Sequence, residues 1–234
     1  MKKKFLVIGN PIKHSLSPKL HNYWIKKHNL KASYDKKLFR QDEIRQLILD
    51  LREGKIHGIN VTVPFKKMVI PFMDTLSDEA KNSQSVNTIY KNEDKIIGDN
   101  TDIEGFKIGL ETTNQIIKNK KAFILGAGGV VPSIIIALKK MQISKIHLSN
   151  KTLIRALEIK KLFPEIEIVG WGKTINFDII INATSLGLNK KDEIKLDYKN
   201  ISQNKFFYDV IYNPKETFFL RRAKEFGAQI ENGK

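Results

Sequence analysis

Short apolar runs rich in β-branched and aromatic residues alternate along this chain with stretches whose apolar positions recur every three or four residues. The first run, Phe5-Leu6-Val7-Ile8, predicts a strand over 5–8, and similar runs predict strands over 34–39 and 58–63. Helical spacing between them predicts helices over 18–27 and 41–51. Ser17-Pro18 suits an N-cap followed by proline at the first helical position, where the missing N–H has no intrahelical acceptor to lose. A second series places strands over 121–125, 145–148, 178–182 and 206–210, with helices over 131–141 and 153–162. Between the series, Gly98-Asp99-Asn100-Thr101-Asp102 leads into a helix over 103–110. Such alternation predicts an α/β protein of parallel sheets covered by helices, divided into domains 1–102 and 103–234.

Composition narrows the classes without choosing among them. The 234 residues are 41% hydrophobic, enough for two modest cores. The longest apolar runs, such as Ile134-Ile135-Ile136-Ala137-Leu138, fall far short of the roughly 20 residues that cross a bilayer, so no membrane association is expected. The opening lysines and Phe5 to Ile8 imitate a signal peptide, but the apolar stretch stops at Gly9-Asn10-Pro11. Cysteine is absent, which excludes disulfides, thiolate metal sites and cysteine nucleophiles, and the expected setting is the cytoplasm. Lysine and arginine total 41 against 25 acidic residues, a formal charge of +16. The cations are scattered, with no arginine-rich tract or interleaved aromatic motif, so nucleic-acid binding is not expected; anionic small molecules would be drawn in. His21 and His28 lie one heptad apart, without the spacing of a metal site.

The clearest local chemistry is Gly126-Ala127-Gly128-Gly129, set between a buried strand and a helix beginning at Val131. Glycine permits the tight turn at Gly126 and close backbone approach to a pyrophosphate at Gly128, while helix N–H groups point at the anion. The context predicts a Rossmann-type dinucleotide-binding domain, although Val131 stands where a third glycine is usual. In an NAD site an acidic residue follows about 20 residues later and holds the ribose hydroxyls. Here that strand ends in Asn150-Lys151-Thr152, with Arg155 one helical turn on; their positive charge and hydrogen-bond donors favour the 2′-phosphate of NADP.

Polar clusters also follow the strands of the first half. Ser15-Leu16-Ser17-Pro18 presents two hydroxyls near a helix N-terminus, a suitable carboxylate cradle. Asn60-Val61-Thr62-Val63-Pro64-Phe65-Lys66 delivers Asn60, Thr62 and Lys66, Val86-Asn87-Thr88 adds an amide, and Asp102 brings a carboxylate to the domain boundary. These motifs, with the glycine turn, Asn182-Ala183-Thr184-Ser185 and Tyr208-Asp209-Val210-Ile211-Tyr212-Asn213-Pro214, occur in an order that resembles the shikimate dehydrogenase family.

The resemblance implies an N-terminal substrate-binding α/β domain followed by an NADP-binding Rossmann domain. It also implies reversible NADP-dependent reduction of 3-dehydroshikimate to shikimate, a step towards chorismate and the aromatic amino acids. Lys66 would transfer the hydroxyl proton and polarise the oxygen, with Asp102 orienting lysine and substrate. Ser15 and Ser17 would hold the substrate carboxylate, with Tyr212 as a further donor, while Asn60, Thr62, Asn87 and Asp102 would read the ring hydroxyls. Gly126, Ala127, Gly128, Gly129, Asn150, Lys151, Thr152, Arg155, Thr184 and Ser185 would meet the cofactor. The sequence departs from the family pattern in three places. Lys151 replaces a common arginine, which predicts weaker NADP preference. Val130-Val131-Pro132 replaces smaller residues. The family normally continues past the equivalent of Lys234 into helices carrying a substrate-binding glutamine, so exposed apolar surface is expected. A quinate/shikimate dehydrogenase using NAD and a non-catalytic NADP-binding remnant are the alternative readings, with a monomer or homodimer as the assembly.

Overall fold

The computed structural model describes residues 2–13, 15–189, 191–194, 196–198 and 201–234. The chain divides into two compact units, Met1–Asp102 and Ile103–Lys234. Among the described residues no helix is long and apolar enough to cross a membrane.

The first unit contains β1 (Lys3–Gly9), α1 (Ser17–Lys27), β2 (Ala32–Leu38), α2 (Ile44–Arg52), β3 (Gly58–Val61), β4 (Thr75–Leu76), α3 (Asp78–Ser83), β5 (Thr88–Asn92) and β6 (Lys95–Asp99). Its sheet runs β2-β1-β3-β5-β6-β4. Alternation along β1 explains the two layers. Ile8 and Leu6 pack with Leu47 and Leu51 of α2, whereas Val7 and Phe5 pack with Tyr34, Ile12 and Ile25. Helix α2 buries Ile44, Leu47, Ile48 and Leu51, the expected spacing of one helical face. Helix α1 buries none of its residues and exposes Leu20, Tyr23 and Trp24.

Three sequence expectations need correction. The first sheet is mixed, not parallel, because β5 pairs antiparallel with both β3 and β6. This hairpin turns through Glu93, whose φ of 52° is left-handed. Its exposed Tyr90, Lys91 and Asn92 break the apolar pattern that would have revealed β5. Second, the N-cap of α1 is Leu16 and Ser17 lies inside the helix; Ser15 Oγ accepts from the Ser17 backbone N–H at 3.3 Å instead. Third, the helix expected over 41–51 opens with a separate 3-10 turn at Gln41–Glu43, where Glu43 reaches back to the Arg40 N–H at 2.9 Å.

Helix α4 (Asp102–Glu111) leads into β7 (Lys121–Leu125), α5 (Val131–Lys140), β8 (Lys145–Ser149), α6 (Leu153–Leu162), β9 (Glu167–Ile168), β10 (Ile179–Asn182), β11 (Phe206–Asp209), α7 (Phe218–Glu225) and β12 (Gln229–Asn232). The second sheet is wholly parallel, ordered β12-β11-β10-β7-β8-β9. That order reverses direction at β7, the doubly wound Rossmann-type arrangement that collects ligands at the carboxyl ends of its strands. Ala122 and Ile124 join a core with Ile134, Leu138, Ala156 and Ile159, while Phe123 and Leu125 join one with Phe207, Phe219 and Leu220. Both faces of the sheet are therefore buried, which is why its strands read as continuous apolar runs.

Candidate functional site

In the first unit the polar groups gather where β3 and β6 end. Past β3, Phe65 is buried against Phe39, with ring centroids 6.0 Å apart, and the Val86 N–H donates to the Lys66 carbonyl at 2.9 Å. These two contacts fix the backbone on which Lys66 stands. Its Nζ donates to Asp102 Oδ2 at 2.5 Å, with side-chain exposures of 12% for Lys66 and 23% for Asp102. Asn87 Nδ2 donates to the other oxygen, Asp102 Oδ1, at 2.8 Å. The carboxylate is therefore held from both sides.

Asp102 is anchored from behind by Asn100, which is buried and which sequence reading did not single out. The Asn100 Oδ1 accepts from the Asp102 N–H at 3.0 Å, and its Nδ2 donates to Ser83 Oγ at 2.9 Å and to the Ser85 carbonyl at 2.8 Å. A buried amide with its partners satisfied stabilises the turn; removing those partners costs about 1–3 kcal/mol.

Asn60 connects this group to a second residue absent from the sequence expectations. The Tyr34 hydroxyl donates to Asn60 Oδ1 at 2.7 Å, and Asn60 Nδ2 donates to the Asn87 carbonyl at 3.3 Å and Thr88 Oγ1 at 3.1 Å. Burial pushes the Tyr34 phenol above its ordinary range, while the Ser17 hydroxyl facing it works in the opposite direction. His21 stacks on Tyr34 with centroids 4.1 Å apart, and Asn22 bonds both backbone groups of Tyr34, at 3.1 and 2.7 Å. Thus α1, β2 and β3 converge on Ser17, Tyr34 and Asn60. Ser15 is half-buried just before α1. Thr62 lies close to Gly9, where an added Cβ would fall 2.4 Å from Thr62 Cγ2, so glycine leaves the threonine its place.

The second unit carries the glycine turn at the end of β7. Gly126 has φ 109°, and an added Cβ would meet the Ala183 carbonyl oxygen at 2.7 Å; only glycine fits. At Gly128, which is exposed, the nearest atom to such a Cβ is the Ala183 carbonyl oxygen at 3.9 Å, an ordinary contact, so a side chain there meets no clash within the protein. Ala127 and Gly129 complete the turn, and the Val131 N–H donates to the Gly128 carbonyl at 3.1 Å as α5 begins. Val131 is fully buried where a third glycine was the expectation from other sites. After β8, Asn150 Nδ2 donates to the Thr152 carbonyl at 2.8 Å and shapes the entry to α6. Lys151 and Arg155 are exposed and, among the described residues, form no ion pair. An accessible backbone turn at a helix N-terminus, with unpaired cations after the next strand, fits a phosphorylated dinucleotide.

Thr184 is committed internally. Its hydroxyl donates to Asn182 Oδ1 at 2.7 Å and accepts from the Leu186 N–H at 3.0 Å, leaving the exposed Ser185 beside it. Tyr212 follows β11 and is 38% exposed, so its ring is accessible to solvent.

Comparison with known proteins agrees with this geometry. Residues 7–89 match the family described as shikimate dehydrogenase substrate binding domain. The chain is 68% identical over 234 residues to shikimate dehydrogenase (NADP(+)) of Pelagibacter ubique, covering all of this chain and 88% of that protein. The crystal structure of shikimate dehydrogenase from Aquifex aeolicus superposes with a TM-score of 0.92 at 36% identity, covering 99% of this chain and 86% of the other. A shikimate dehydrogenase solved in complex with NADP+ gives a TM-score of 0.93 at 31% identity, covering 99% and 84%. The chain belongs to the shikimate dehydrogenase family.

Proposed function

We propose that this chain is an NADP-dependent shikimate dehydrogenase, interconverting 3-dehydroshikimate and shikimate, with 1–102 as the substrate-binding catalytic domain and 103–234 as the NADP-binding domain. The observation that carries this reading is the Lys66–Asp102–Asn87 constellation on a chain so similar to a curated NADP(+) enzyme. A secondary alcohol releases hydride only as its hydroxyl proton departs, so a group that exchanges that proton is required. When bound, NADP supplies the hydride acceptor. Lys66 Nζ receives the hydroxyl proton as the neutral amine during oxidation and, as the resulting ammonium, returns it to the carbonyl oxygen and polarises that oxygen during reduction. Asp102, fixed by Asn87 at one oxygen, aims the other at Lys66 and limits where the ammonium sits.

Ser15, Ser17 and Tyr212 are proposed as donors to the substrate carboxylate, and Asn60, Thr62, Asn87 and Asp102 as readers of the ring hydroxyls. Gly126, Ala127, Gly128 and Gly129 are assigned to the pyrophosphate, Asn150, Lys151, Thr152 and Arg155 to the 2′-phosphate, and Thr184 and Ser185 to the cofactor. The cysteine-free composition supports a cytoplasmic setting, and sedimentation velocity distinguishes a monomer from a homodimer. The test is NADPH or NADH absorbance with shikimate and quinate, each offered with NADP and NAD. The expected result is fastest turnover with shikimate and NADP. Faster turnover of quinate with NAD supports the broader quinate/shikimate activity instead, and cofactor binding without turnover supports a non-catalytic protein.

A further inference from the structure

The ends of β10 and β11 carry a buried carboxyl group that the proposed reaction does not use. Asp209 and Asn182 are both 0% exposed, and the parallel register sets them side by side. Asp209 Oδ1 accepts from Asn182 Nδ2 and from the Ile211 backbone N–H, each at 3.0 Å, and Oδ2 accepts from Thr217 Oγ1 at 2.6 Å. Burial pushes the Asp209 carboxyl upward, and these three donors oppose it. Replacing a buried charged group by a well-packed apolar one is often neutral for stability, so stability alone is a weak reason for a carboxylate here.

Each donor leads to a different piece of chain at the carboxyl end of the sheet. Asn182 Oδ1 accepts from the Thr184 N–H at 3.0 Å and from Thr184 Oγ1 at 2.7 Å, and its Nδ2 also donates to the Leu186 carbonyl at 3.0 Å. The Asn182 amide thereby shapes the Thr184-Ser185 turn, which follows the Ala183 carbonyl pressed against Gly126. The bond from the Ile211 N–H to the Asp209 side chain, two residues back, is an Asx-type turn that sets the direction of the chain into Tyr212. Thr217 caps α7, accepting from the Leu220 N–H at 3.4 Å.

We propose that Asp209 is a positioning residue that locks the Thr184-Ser185 turn and the Tyr212 loop into one arrangement, so that recognition of cofactor and substrate by these strand ends is lost together. The inference rests on the shikimate dehydrogenase reading for the identity of the two ligands. Its test measures NADP Kd by calorimetry and shikimate KM by NADPH absorbance in Asp209→Ala and Asp209→Asn. In Asp209→Ala both constants rise, on the order of tenfold or more, as expected when recognition groups drift by about an ångström. Asp209→Asn retains an oxygen for Asn182 and Ile211 and can turn its amide N–H towards the Thr217 oxygen, so both constants return towards wild type. A lowered thermal midpoint with both constants unchanged overturns the proposal, as does a rise in only one of them. If Asp209→Ala does not fold, Asp209→Ser, too short to span all three donors, is read in the same way. A wild-type chain that binds NADP without oxidising shikimate defeats the dehydrogenase reading separately; the NADP Kd of the variants then decides the role of Asp209, with an unchanged Kd overturning it.

Discussion

The amides around Lys66 have committed most of their donors within the protein. Asn87 directs its Nδ2 hydrogens to Thr101 Oγ1 and Asp102 Oδ1, and Asn60 directs its own to Asn87 and Thr88. The Asn60 oxygen accepts one bond from Tyr34 and keeps a second lone pair, so its natural role towards a ring hydroxyl is acceptor. This arrangement depends on Tyr34 holding the amide in one orientation. Tyr34→Phe should raise the KM for shikimate about three- to tenfold, the worth of one net hydrogen bond, while NADP Kd stays at the wild-type value. An unchanged KM removes Tyr34 from the recognition network. Lys66, Asn87 and Asp102 were legible in the sequence because each sits in a polar motif at a strand end. Tyr34 and Asn100 were not. An aromatic in a strand reads as core, and the value of Asn100 lies in contacts with Ser83 and Ser85 that only the folded chain creates.

Among the elements, the glycine turn separates a folding requirement from a binding requirement. Gly126 combines positive φ with a carbonyl oxygen 2.7 Å from any added Cβ, whereas at Gly128 an added Cβ meets nothing closer than 3.9 Å. Gly126→Ala should lower folding stability by about 1–3 kcal/mol or more and weaken NADP binding with it. Gly128→Ala should fold with a normal thermal midpoint and lose NADP affinity alone, through a methyl group placed where the pyrophosphate approaches. Equal loss of stability in the two variants, measured by calorimetry, contradicts this division. The second unit was readable strand by strand because a parallel sheet buried on both faces produces uninterrupted apolar runs. The β5–β6 hairpin escaped notice because only Ile89 of β5 is buried, and the two-residue strands β4 and β9 are too short to carry a period.

For the molecule as a whole, buried titratable groups bound a pH range of maximal stability. Burial lowers His147 below its ordinary value of 6.5, outweighing the nearby Glu167 carboxylate and a backbone hydrogen bond with Ala122, both of which act to raise it. The unfolded chain then takes up a proton that the folded chain refuses, so stability is fully present above 6.5 and declines as pH falls below it. Asp209, shifted the other way, offsets part of that decline at lower pH. At the alkaline end, burial raises Tyr208 to about 12 from 10.0, so stability falls as pH climbs from 10.0 towards about 12. His147→Gln should flatten the acid limb of a thermal-midpoint profile and leave the alkaline limb alone; an unaltered acid limb assigns the effect elsewhere.

Hydride transfer from shikimate, with Lys66 carrying the proton, is the claim on which the functional account depends. The most direct measurement is the rate of NADPH formation from shikimate and NADP by the wild-type chain and by Lys66→Ala, with NADP Kd determined on both. The account predicts shikimate-dependent NADPH formation by the wild type, a loss on the order of a hundredfold or more in the variant, and little change in Kd. No NADPH from the wild type, or near-normal turnover by Lys66→Ala, would contradict it.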